Sequence, residues 1–211
     1  MPRILDVSQP VGTGTAVWPG DQNVVLGWTM RIAGGDSVNV AALTMSAHTG
    51  THADGPFHFA EDGSRPAELD LGAYIGPALV IDAAGQSELG PDLVRDVDLR
   101  AAERVLFRTR GSVDAAEFPR EFAAFTPELA TKIAENGVKL VGTDAPSVDP
   151  FHSKTLDAHH IFARGRVAIL ENLVLTHVAP GRYTLVALPL KLVEADSSPV
   201  RAVLLEGGAL S

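Results

Sequence analysis

The chain has 211 residues, enough for one domain with a real core, and 45% of them are apolar, the usual share for a globular protein. Seventeen basic against twenty-six acidic residues leave a net charge of −9 without any run of Lys or Arg, which speaks against a nucleic-acid or other polyphosphate partner. Cysteine is absent, which excludes disulfides, thiolate metal sites and a cysteine nucleophile, so any metal must be held by His, Asp and Glu.

The opening Met-Pro-Arg-Ile-Leu-Asp lacks the apolar core of a signal peptide, and no apolar stretch reaches spanning length. A soluble cytoplasmic protein with no membrane partner is expected. Residues 48–58 read as a strand running into a turn, because Thr-Gly-Thr and Gly55-Pro56 are poor helix formers. Short β-branched-rich runs predict strands at 78–83, 104–109, 139–142, 167–170, 182–187 and 200–205, several of them apolar enough to be buried on both faces. A short helix is expected near 91–94. The best-marked helix has Thr126 as N-cap, Pro127 in its first position, Leu129 and Ile133 on one face and Asn136-Gly137 as its stop. A weaker helix is expected over about 155–164, ending at Gly165. There is no internal repeat, low-complexity tract or linker. Strands outnumber helices and are interleaved with them, the pattern of a single α/β or α+β domain, 1–211, with a mixed sheet.

The segment His48-Thr-Gly-Thr-His52-Ala-Asp54-Gly-Pro-Phe-His58 packs three of the seven histidines and a carboxylate into eleven residues. These residue types bind a borderline metal ion through nitrogen and oxygen. All four stand at even positions, so an extended chain projects them to one side. Further ligands are sought in His159 or His160, adjacent in the weaker helix, and in Glu171, which follows the apolar run 167–170 and needs a partner if buried. Asp54 then bridges two ions. The competing readings are a surface His-His pair and a Glu171 salt-bridged to Arg164 or Arg166. His152 and His177 have no local company and are read as structural or exposed. Asp144 and Asp149, in a Pro-rich turn, serve equally well as orienters of ligating histidines or as turn caps.

The histidine segment closely resembles the signature of the cyclase-like metal-dependent hydrolases, and within them the chain resembles the bacterial kynurenine formamidase (arylformamidase) branch. The likeness extends over nearly the whole length, through Asp6-Val-Ser-Gln-Pro, Val17-Trp18-Pro-Gly-Asp21, the run Gly142-Thr-Asp-Ala-Pro-Ser-Val-Asp-Pro150, Ser153-Lys-Thr-Leu-Asp-Ala-His-His160 and Ile169-Leu-Glu-Asn-Leu173. It implies an α/β fold of the swivelling β/β/α type, with a mixed sheet or barrel core and flanking helices, assembled as a homodimer. It implies two divalent ions, zinc with manganese as the alternative, held by His48, His52, Asp54, His159 and Glu171, with His160 the alternative to His159. His58 is the general acid/base, and Trp18 lines the pocket for an aromatic substrate.

The reaction so implied is hydrolysis of N-formyl-L-kynurenine, an aryl formamide, to L-kynurenine and formate. Zinc lowers the pKa of a bound water to about 7, which makes hydroxide available to attack the formyl carbon, and the same ions stabilise the oxyanion. An imidazole titrating near pH 6.5 suits His58 to move the proton from water to the leaving aryl amine. It lies beyond Gly55-Pro56, which turns the chain away from the ligands. The alternatives are another amide or lactam hydrolase of the family, such as a manganese-dependent isatin hydrolase, and a non-catalytic metal-binding protein. The second has no use for an acid/base beside its ligands.

Overall fold

The computed structural model describes residues 3–207. In chain order the strands are β1 (Arg3–Asp6), β2 (Val25–Met30), β3 (Val40–Thr44), β4 (His52–Asp54), β5 (Ile75–Asp82), β6 (Glu88–Leu89), β7 (Arg104–Arg108), β8 (Ala124–Phe125), β9 (Leu140–Thr143), β10 (Ala168–Glu171), β11 (Gly181–Val186), β12 (Ser197–Pro199) and β13 (Val203–Glu206). Helix α1 (Pro127–Glu135) precedes β9 and α2 (Asp157–Arg164) precedes β10. Nine strands form one mixed sheet in the order β1-β13-β11-β5-β7-β9-β10-β4-β12. Its centre, β5-β7-β9-β10, is parallel, and antiparallel strands flank it on both sides.

The central strands are apolar without alternation because both faces are covered. Val105, Phe107, Val141 and Ile169 pack under Leu129 and Ile133 of α1 and Phe162 of α2. Their neighbours Leu106, Leu140 and Leu170 join Leu5, Val80, Leu185 and Leu204 in a second cluster. That cluster draws on strands from one end of the sheet to the other, so the sheet curls around it. The mixed α/β class read from the sequence is the one observed.

Helix α1 begins as expected, with the Thr126 hydroxyl accepting from the Leu129 N–H at 3.2 Å. Four expectations shift. The turn near 91–94 is a 3-10 helix, Pro91–Val94. Helix α2 starts at Asp157 rather than 155, because Leu156 adopts a left-handed φ of 48°. The strand expected over 200–205 is confined to Val203–Glu206, because Val200 and Ala202 bond instead to Thr51 and Val7 as the chain crosses between sheet edges. The segment 48–58 is a strand only at His52–Asp54. His48 precedes it in a turn and His58 ends a 3-10 turn, Pro56–His58. The alternating-face argument therefore holds for His52 and Asp54 alone.

Candidate metal centre

Strand β4 sits between β10 and β12. Within it His52 and Asp54 share a face while Ala53 turns into the second core cluster. Glu171 closes β10 directly opposite His52. It ends a parallel strand, at the carboxyl edge where open α/β sheets bind ligands. Helix α2 lies over this face and brings His159 down onto it. His48 arrives from the turn before β4, which needs Gly50: its φ is 66°, and a Cβ there would stand 2.9 Å from Val11.

The five residues converge. Asp54 Oδ1 is 3.3 Å from His48 Nδ1 and 3.5 Å from His52 Nε2, while Asp54 Oδ2 is 3.5 Å from His159 Nε2. Glu171 is 3.3 Å from His52 Nε2 through Oε2 and 3.6 Å from His159 Nε2 through Oε1. Ligand atoms about 2.1 Å from a common ion in tetrahedral array stand about 3.4 Å apart. These spacings therefore suit a pair of ions with Asp54 between them. His48, His52 and Asp54 could form one ligand set and Asp54, His159 and Glu171 a second, while His48, His58 and Asp196 form a further, more exposed group at the rim. Burial makes the same point. His52 Nε2 and both Asp54 oxygens are buried with no hydrogen-bond partner, a costly arrangement that cations would relieve.

Neighbouring groups aim the imidazoles. His52 Nδ1 lies 2.8 Å from the Gly50 carbonyl, which can only accept, so the proton is on Nδ1 and Nε2 is left for an ion. Asp149 does the same for His159. Its carboxylate accepts from the Ala158 and His159 backbone N–H groups at 3.0 Å and from His159 Nδ1 at 2.6 Å, capping α2 and fixing the ring at once. Asp149 is thus an orienter, and the cap it provides is to α2 rather than to its own turn. Asp144 is a cap alone, gripping the Thr109 and Arg110 backbone at the end of β7. Glu171 Oε1 accepts from the Val148 N–H at 2.8 Å. Asn172, next in the chain, holds a left-handed φ of 55°, as Leu156 does before His159. Backbone strain thus gathers beside two of the five residues.

The electrostatics are those of a site built for cations. Burial opposes a charge on His48, but Asp196 and Asp54 outweigh it and raise its pKa to about 10. Burial likewise opposes a charge on His159, yet Asp149, Asp54 and Glu171 raise it to about 10. Asp54 is held well below the ordinary carboxylate range, its burial overcome by His159, His48 and His52. Divalent ions would supply the same positive charge to these carboxylates.

His160 points away from this cluster. It is half-buried, its ring against Phe59 at 5.5 Å, whereas His159 is 2% exposed among the carboxylates. His152 and His177 are exposed. His58 stands at the rim, its ring centroid 4.2 Å from that of His48 and 6.0 Å from that of His159. It lines a cleft of about 430 Å³ above the five residues. Trp18 forms one wall, edge-on to Phe118 at 5.3 Å and tilted against Phe151 at 4.9 Å. Arg110, Asp114 and Glu117 supply charge to the same cleft. Asp196, which no local motif advertises, also lines it, with Oδ2 2.9 Å from His48 Nε2 and 3.2 Å from His58 Nδ1.

Comparison with known proteins agrees with this geometry. Residues 5–150 match the family model described as "Putative cyclase". The chain is 45% identical over 202 residues to a kynurenine formamidase of Bacillus cereus, covering 95% of this chain and 96% of that one. It is 46% identical over 204 residues to a kynurenine formamidase of Geobacillus thermodenitrificans, covering 97% and 98%. A solved structure described as a potential metal-dependent hydrolase with cyclase activity superposes with a TM-score of 0.85 at 28% identity, covering 99% of this chain and all of that one. An isatin hydrolase bound to thioisatinate superposes at 0.83 with 22% identity, covering 96% and 91%, a likeness of fold. The chain belongs to the cyclase family, and kynurenine formamidases are among its full-length relatives.

Proposed function

We propose that this protein is a metal-dependent hydrolase that converts N-formyl-L-kynurenine to L-kynurenine and formate. The observation that carries the reading is Asp54, a buried carboxylate whose two unbonded oxygens face separate ligand sets beneath an aromatic-walled cleft. His48, His52 and Asp54 would hold one divalent ion, and Asp54, His159 and Glu171 a second. The N/O donor set suits zinc and accepts manganese. When bound, the ions supply Lewis acidity and a water acidified enough to be a nucleophile at neutral pH.

The protein's own groups do the rest. His58 takes a proton from the attacking water and returns it to the departing aryl nitrogen. Trp18 packs on the aryl ring. Arg110 faces the substrate's α-carboxylate, and Asp114 and Glu117 face its ammonium group. The identity to kynurenine formamidases along nearly the whole chain favours the formamide over an isatin-like lactam. A homodimer belongs to the same proposal. The β2–β3 ribbon stands apart from the main sheet with Val25, Leu26, Trp28 and Met30 exposed, and an isolated hairpin is marginal without cover. No helix among the described residues is long and apolar enough to cross a membrane, and a cytoplasmic enzyme is proposed.

The test is turnover of N-formyl-L-kynurenine with and without chelator. Chelator-sensitive hydrolysis is expected. Absence of turnover in metal-loaded protein would sink the reading. His58→Ala should lower kcat by about 10²- to 10⁴-fold with both ions retained.

A further inference from the structure

We propose that Asp196 is a positioning residue that fixes the tautomer and orientation of His58 through one carboxylate oxygen shared with His48. The inference rests on the acid/base role proposed for His58.

The backbone places Asp196 against the metal segment. It immediately precedes β12, and its neighbour Ser197 stands opposite Asp54 in the β12–β4 pair. Its own carbonyl accepts from the Gly55 N–H at 2.8 Å. Gly55 is required there, since a Cβ would come within 2.9 Å of that same carbonyl oxygen. The Asp196 backbone is thus tied to the short link between Asp54 and His58. Ser197 reinforces the tie by donating from Oγ to the Ala53 carbonyl at 2.9 Å.

The side chain then does one thing to two rings. Oδ2 lies 2.9 Å from His48 Nε2 and 3.2 Å from His58 Nδ1. An ionised carboxylate only accepts, so both nitrogens carry hydrogen. For His48 this leaves Nδ1 as the atom facing Asp54 and its ion. For His58 it leaves Nε2 without a proton, the atom free to take one from water. Both contacts have hydrogen-bond lengths and meet at a single oxygen. A carboxylate behind an imidazole is a recurrent way to fix tautomer and aim. Here it also couples the general base to a metal ligand, so the base cannot swing without disturbing that shared oxygen.

The experiment combines kinetics, metal analysis and nitrogen NMR on the zinc-loaded enzyme. At saturating zinc, Asp196→Ala should lower kcat on N-formyl-L-kynurenine by about 10²-fold, with KM changed less than about threefold and both ions bound. Asp196→Glu should recover part of the loss, because a carboxylate is restored. At saturating zinc, the double variant His58→Ala/Asp196→Ala should have a kcat close to that of His58→Ala alone, since the effect of Asp196 on kcat runs through His58. Multiplying losses, or an Asp196→Ala enzyme that still lacks an ion at saturating zinc, would overturn the proposal. ¹⁵N spectra of the histidine rings read the tautomer without turnover: His58 should be the Nδ1–H form in the parent and shift towards Nε2–H in Asp196→Ala. An Nε2–H His58 in the parent would also overturn it. A parent that shows the Nδ1–H form yet does not turn over the formamide would refute the proposed substrate and leave the positioning role standing.

Discussion

Glu171 stands directly across the β10–β4 pair from His52, with its Oε2 3.3 Å from His52 Nε2 and its Oε1 3.6 Å from His159 Nε2. The sheet register, not a loop, sets this relationship, so the carboxylate is placed before any ion arrives. Glu171→Gln keeps the shape and the acceptor for the Val148 N–H but removes the charge. It should cost one of two ions at stoichiometric metal and at least about tenfold in kcat. Asp54→Ala, by contrast, removes the group between both sets and should leave neither ion bound. Metal analysis after gel filtration checks both, and two equivalents retained by Asp54→Ala would contradict the bridge.

Asp149 should matter through His159 rather than by touching an ion. Groups behind a ligating histidine typically contribute about 10- to 100-fold in metal affinity. Asp149→Asn keeps one acceptor oxygen, which can still bond the Ala158 N–H and should preserve most of α2. It gives up the charged contact at 2.6 Å to His159 Nδ1. The expected outcome is weaker binding at the His159 ion with circular dichroism unchanged, measured by competition against a zinc-binding dye.

Much of this candidate centre is legible in the sequence, and the exceptions have physical causes. His48, His52, Asp54 and His58 are close in sequence, so composition alone exposes them. Glu171 was legible as a charge ending an apolar strand. Asp149 reads as a turn cap in sequence, whereas its carboxylate reaches α2 and the His159 ring ten residues on. Asp196 lies in Glu-Ala-Asp-Ser-Ser, which reads as any polar turn, and only the pairing of β12 with β4 brings it to His58. The β2–β3 hairpin escaped for a different reason. Its residues are exposed on both faces, so there is no buried face to impose an alternating pattern. The central strands, buried on both sides, were legible as apolar runs, but their order in the sheet was not.

The pH response of metal-free protein follows from the two elevated imidazoles. His48 and His159 titrate near 6.5 when unfolded and at about 10 in the fold. Groups raised on folding stabilise fully below pH 6.5, and that stabilisation is lost as pH rises through 10. Chelated protein should therefore show a Tm that falls steadily between pH 6.5 and 10. The same protons compete with metal, so each ion's apparent affinity should rise by about tenfold per pH unit across the lower part of this window. Thermal melts with and without zinc check the sign. A chelated protein that grows more stable with rising pH over that range would contradict the paired imidazolium arrangement.

Recognition of the amino-acid end of the substrate separates from recognition of its ring. Trp18 is braced by Phe118 and Phe151, a rigid aromatic wall. Arg110 is anchored by its backbone N–H to Asp144 and brings a guanidinium to the cleft that forms no salt bridge among the described residues. A guanidinium facing a carboxylate is worth about 1.5–3 kcal/mol when the contact is shielded. Arg110→Ala should accordingly raise KM for N-formyl-L-kynurenine by roughly tenfold or more. It should leave hydrolysis of formanilide, which has no carboxylate, within about twofold. Trp18→Ala should raise KM for both, because both present an aryl ring, with metal content unchanged. Equal effects of Arg110→Ala on the two substrates would remove Arg110 from carboxylate recognition, and an unaltered KM in Trp18→Ala would return that ring to a structural role.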